Sequence, residues 1–240
     1  MLFDYKNISS KENQAGNVLF LILIAVALFA ALSYAVTQST RSGGGSTSNE
    51  TAGINAAQTT QYPASVRTAV VRMIIGGTDP ANIEFNAPSA FGALTSNAVG
   101  VFHPSGGGAT HVTAPAVNMI DGAPGEWFFN PNFEIVNIGT SVDGDDAGNE
   151  FIAFLPGITS TLCTRLNSDL GIVDTGNTTF SGDQSSNTDG YMENMDNAFA
   201  FPGDERDIGV GDTADLAGQP YGCFTNSTGE SVYYHVLLEQ

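Results

Sequence analysis

From Val18 to Val36 the chain runs nineteen residues without a charge. As an α-helix rising about 1.5 Å per residue, the run spans roughly 28 Å, close to the hydrocarbon thickness of a bilayer. A segment like this at the head of a chain is either removed or kept against a membrane. As a secretory signal it would use Lys6 and Lys11 as its basic region and Ser33-Tyr34-Ala35 as the small-residue cleavage site. Its apolar core is long for that role, since signal cores hold about 7–15 residues. As a permanent anchor it would tie everything after it to the membrane.

Charge placement orients the segment. Both lysines lie before it, and after it come five arginines against twenty-three acids. This asymmetry places the N-terminus in the cytoplasm and the remainder across the membrane. The chain has a formal net charge of −18. It offers no basic patch to neutralise phosphates, which excludes nucleic acid as a partner and suits a soluble exported surface.

A short hydrophilic leader ending in Gly16, followed by an apolar helix, resembles the type IV pilin and type II secretion pseudopilin superfamily. The resemblance implies cleavage between Gly16 and Asn17 on the cytoplasmic side, with methylation of the new terminus. It also implies retention of the helix as a filament core packed through Val18, Leu21, Ile22, Ile24, Leu28 and Leu32. Asn17 stands where that family mostly has Phe or Met, and Leu21 where it has Glu, a pattern closer to minor or tip-like pseudopilins than to a major subunit. Implied partners are copies of the same chain or other pilin-like subunits. The implied location is the inner membrane before assembly, then an extracellular filament or the cell surface.

These readings divide the chain into a leader at 1–16, a hydrophobic stem helix at 17–41, a Gly/Ser-rich linker at 42–53 and an exported domain at 54–240. Three successive glycines, Gly43 to Gly45, predict an end to the stem helix. Pro63 to Ile75 reads as a helix with Pro63 in its first turn. Val66, Ala69, Val70, Met73 and Ile74 form one apolar face, and Gly76-Gly77 supplies the stop. Ile83–Phe85, Ala98–Phe102, Glu126–Phe129, Phe133–Ile138, Glu150–Leu155 and Ser231–Leu238 read as strands. Ile158 to Leu170 reads as a second helix, and 172–220 as a long surface loop. The expected class is α+β: an N-terminal transmembrane or filament-core helix, then a domain with a helix packed on an antiparallel sheet.

An even pair of cysteines in an exported chain suggests a disulfide between Cys163 and Cys223, against the alternative of two unrelated buried thiols. The resemblance implies the same bridge, with 164–222 as the exposed variable region that it bounds.

Catalytic chemistry is absent from the motifs, and no enzyme is expected. Gly106-Gly107-Gly108 lacks the Gly-Lys-Ser/Thr ending of a phosphate-binding loop, and no nucleophile elbow is present. His103 and His111 flank a turn, where a shared metal needs the loop to fold back. His235 reads as a surface or half-buried strand position. Asp143, Asp145, Asp146 and Glu150 concentrate oxygen ligands and make a weak calcium site an alternative to a solvated turn, without the spacing of an EF-hand. The cluster Asp204-Glu205-Arg206-Asp207, with Asp212 and Asp215, has the same character. Asn177-Thr178-Thr179 and Asn226-Ser227-Thr228 are glycosylation triplets. The expected function is a structural subunit of a pilus-like filament. The alternative is a single-pass anchored surface protein that binds a ligand or partner and does not polymerise.

Overall fold

The computed structural model describes residues 15–139, 150–172, 207–209, 211–226 and 229–239. The chain divides into two compact units, Met1–Glu50 and Thr51–Gln240.

Helix α1 (Ala15–Ile75) is one α-helix of 61 residues. It passes through Gly43, Gly44 and Gly45, where the sequence predicted an interruption. Glycine costs about 1 kcal/mol per residue against alanine but does not forbid helical geometry. Pro63, expected in a first turn, lies inside the helix. The C-terminal stop is as expected. Thr78 N–H donates to Met73 O, Gly77 N–H donates to Ile74 O, and Gly77 takes φ 96°, the left-handed closing turn that glycine adopts without penalty.

In the second unit five strands form one sheet in the order β3-β1-β2-β5-β4, namely β1 (Phe128–Ile135), β2 (Glu150–Ile158), β3 (Asp207–Ile208), β4 (Tyr221–Thr225) and β5 (Ser231–Leu238). All neighbours are antiparallel except β1 and β3. With α2 (Ser160–Asp169) the architecture is α+β. β1 fuses two expected strands across a register shift between Asn130 and Phe133, where Pro131 cannot donate to the ladder. Ile83–Phe85 and Ala98–Phe102 are not strands. They meet in a single parallel bridge, Glu84 to Gly100, among short 3-10 turns.

The sheet is buried on both faces. Phe151, Ala153, Leu155, Tyr233 and Leu237 pack with Val66, Ala69, Val70 and Met73 of α1 and with Leu162 and Leu166 of α2. Ile152, Phe154, Val232, Tyr234 and Val236 point the other way and pack with Phe133, Phe224, Ile208 and Leu216. Of the expected loop at 172–220, residues 173–206 lie outside the described residues, and the described part contributes to the core: Ile208, Thr213 and Leu216 are fully buried, while Ala214 and Gly218 are exposed. A continuous apolar run such as Phe151 to Leu155 belongs to a strand covered on both sides, which explains the difference.

Candidate functional site

The apolar part of α1 is the first candidate. Val18–Gln38 has a mean hydropathy of 2.7, is long and apolar enough to cross a membrane, and has none of its residues buried. Val18, Leu21, Ile22, Ile24, Leu28 and Leu32, the expected packing residues, are all exposed, from 41% at Ile24 to 66% at Leu28. So much apolar surface needs a cover of lipid or protein. Gly16 and Asn17 fall in the first turn of α1, and the leader before Ala15 lies outside the described residues.

The disulfide is present. Cys163 on α2 bonds Cys223 on β4 across 60 residues, with Cα atoms 5.4 Å apart. One turn further along α2, Asn167 completes the joint. Its Nδ2 donates to Cys223 O at 2.8 Å, and its Oδ1 accepts from Cys223 N–H at 2.9 Å. A buried side-chain amide thus stands in for a neighbouring strand at the outer edge of β4, and the paired backbone groups avoid a desolvation cost of about 1–3 kcal/mol. Nothing in the one-dimensional pattern marks Asn167 for this role.

The remaining expected residues separate. Of the calcium set, Asp143, Asp145 and Asp146 lie outside the described residues. Glu150 is described, and it is fully buried at the start of β2. Its Oε2 accepts from Ile135 N–H at 2.7 Å, two residues past its register partner Phe133, while Oε1 has no partner. Burial pushes its carboxyl up to about 7, against the pull of the Ile135 amide and with a further push from Glu134. Of the second acidic cluster, Asp204 to Arg206 lie outside the described residues, as do Asn177 to Thr179, Ser227 and Thr228.

His103 and His111 pack against different rings. His103 Nδ1 accepts from Ser105 N–H at 3.1 Å and its ring lies edge-on to Phe91, while His111 lies edge-on to Phe102. Among the described residues no three His, Cys, Asp or Glu side chains converge. The glycines beside them serve packing. A Cβ on Gly107 would stand 2.4 Å from Val101 O, and Gly107 O accepts a hydrogen bond from Arg72 of α1. His235, expected at a surface or half-buried position, is buried. Its Nδ1 lies 2.8 Å from Tyr233 Oη and Tyr221 stacks on its ring. Burial, reinforced by Arg67, lowers its pKa to about 4, so it is neutral at ordinary pH.

One cleft, of about 360 Å³, opens in the second unit. Gln61, Tyr62 and Ser65 of α1 line it together with Val112, Thr113 and Trp127. Beside it Asn118 Nδ2 donates to Thr59 Oγ1 at 3.1 Å, pinning the 112–118 segment to α1. The Tyr62 ring sits 5.1 Å from Trp127, and burial pushes its phenol up to about 12 against the pull of the Val112 backbone. This cleft has no signature in the sequence, because residues about fifty positions apart build it.

No protein-family model, curated protein or solved structure matches this chain. The residues therefore carry the description alone: an N-terminal apolar helix long enough to cross a membrane, followed by an α+β domain stapled by the Cys163–Cys223 bridge.

Proposed function

We propose that this chain is a pilin-like structural subunit of an extracellular filament, without catalytic activity. It would be held in the inner membrane by α1 before assembly and packed through the same helix afterwards. The observation that carries the reading is Val18–Gln38, an uncharged helix none of whose residues is buried. Lateral packing with like helices would satisfy that surface in a filament as lipid does in a membrane. The acidic, disulfide-stapled domain would then form the outer wall, where its net charge keeps filaments apart.

Mass spectrometry of the mature N-terminus, on protein sheared from cells, tests the proposal. A chain starting at a methylated Asn17 supports it. A start just after Ala35 overturns it in favour of a secreted domain. An intact Met1 with no sheared material overturns it in favour of a single-pass anchored protein.

A further inference from the structure

Oxidisable rings run in a continuous line along one face of the sheet. Tyr62 of α1 and Trp127 stand at the cleft with ring centroids 5.1 Å apart. Trp127 meets Tyr233 of β5 edge-on at 6.0 Å, and Tyr233 Oη lies 2.8 Å from His235 Nδ1. Tyr233 is fully buried, and Tyr221 of β4 stacks on the His235 ring. Burial holds the Tyr233 phenol well above its ordinary range and keeps His235 neutral, so the phenol donates and Nδ1 accepts.

The next residue of β5 makes the comparison. Tyr234 is equally buried, on the other face of the sheet, and donates to Gln219 O at 3.1 Å. A carbonyl accepts a hydrogen bond but not the proton, whereas an imidazole accepts both. The difference matters when a phenol loses an electron, because the oxidised phenol is a strong acid. Without a base in contact, its positive charge is stranded in apolar surroundings. At Tyr233 the proton can cross to His235, at the margin of the core. Arg67 of α1 faces that imidazole and pairs with Glu239 at 3.1 Å. Its charge opposes an imidazolium, so the proton goes back to Tyr233 once the radical is reduced.

We propose that Tyr233 and His235 form a proton-coupled redox pair that draws oxidising equivalents away from Trp127. The reagent is a one-electron oxidant in the surrounding solvent, and no bound complex is needed. Trp127 gives it an electron and regains one from Tyr233, while the phenolic proton passes to His235 Nδ1. The balance is oxidant, phenol and neutral imidazole on one side, and reduced oxidant, neutral tyrosyl radical and imidazolium on the other. The pair lies within one domain and does not depend on how chains assemble.

The test uses the full chain in neutral detergent at neutral pH. Trp127 is the only tryptophan, so a laser pulse beyond the tyrosine absorption edge ionises it alone, with hexaamminecobalt(III) present to take the ejected electron. The tryptophan radical is expected to decay as a tyrosyl radical grows. Tyr233→Phe removes only a hydroxyl and should lengthen the tryptophan radical's life at least tenfold, while Tyr234→Phe leaves it unchanged. His235→Gln can accept the hydrogen bond but not the proton, and should slow the transfer at least tenfold. Circular dichroism matching the parent shows that each variant is folded. In the parent itself, high-field electron paramagnetic resonance should find an exchangeable proton hydrogen-bonded to the phenoxyl oxygen. Parent-like decay in Tyr233→Phe, equal slowing in Tyr234→Phe, parent-like transfer in His235→Gln, or a parent phenoxyl without that proton overturns the proposal.

Discussion

Glu150 and His235 are buried in the same domain and shifted in opposite directions, so their effects on stability should cancel over a defined pH window. Glu150 rises from 4.5 to about 7, and His235 falls from 6.5 to about 4. Taken alone, the raised Glu150 contributes stability that is fully present below pH 4.5 and is lost as pH climbs toward 7. The depressed His235 contributes stability that is fully present above pH 6.5 and is lost as pH falls toward 4. At about 1.4 kcal/mol per tenfold change, each contribution is worth about 3 kcal/mol. Between pH 4.5 and 6.5 the native domain holds one proton on this pair, at Glu150, and the unfolded chain also holds one, at His235. Equal proton counts mean no slope. Urea unfolding of the full chain in neutral detergent reads this out through Trp127, the only tryptophan. Glu150→Gln keeps an acceptor for Ile135 N–H and removes the titration. Relative to the parent, its stability should rise by up to about 3 kcal/mol from pH 4 to 6.5. His235→Gln should do the reverse, losing stability as pH rises from 4.5 to 7. If Glu150→Gln and the parent trace parallel curves, Glu150 titrates normally and the argument from its burial is wrong.

Three further outcomes are expected. Cys163→Ala, or reduction, opens a loop of 60 residues and should cost about 4 kcal/mol in the chain-entropy account, read as a loss of stability in urea. Asn167→Ala orphans the amide and carbonyl of Cys223; about 1–3 kcal/mol should be lost, and the Cys223 amide should exchange faster with deuterium while the disulfide stays intact. Leu28→Arg places a charge in the middle of the apolar helix at a cost of about 3 kcal/mol on insertion, and should move a measurable share of the chain out of the membrane fraction.

The parts legible in the sequence were those where one physical requirement dominates a continuous stretch. The apolar run of α1 needs only length and absence of charge. β5 matches its expected ends, Ser231–Leu238, because turn residues precede a β-branched and aromatic run. The Cys163–Cys223 bridge was expected from an even pair of cysteines in a chain read as exported, and it is present. What was not legible depends on partners distant in sequence. β4 is five residues long with Gly222 inside it and becomes a strand only beside β5. Glu150 reads as part of a solvated acidic turn, yet it is buried with its carboxylate accepting from Ile135 N–H, a partner fifteen residues away. The second core was signalled, since Phe151 to Leu155 lacks polar alternation, but its lid, Ile208 and Leu216, sits in a stretch whose Gly and Asp content reads as loop. Gly43 to Gly45 show the converse, a weak local preference against helix that did not end α1.

The Asn167 clamp bears on how copies can and cannot join. Sheet edges are adhesive, because any extended chain can add to an open row of amides and carbonyls. Here one edge strand, β4, has the backbone groups of Cys223 already taken by Asn167, and the disulfide fixes α2 along the same margin. The opposite edge strand, β3, is two residues long among the described residues. An extended chain adding at Cys223 would first have to displace the Asn167 amide and the helix that the disulfide holds beside it, so the route to amorphous aggregates by runaway strand addition is blocked at that point of the margin.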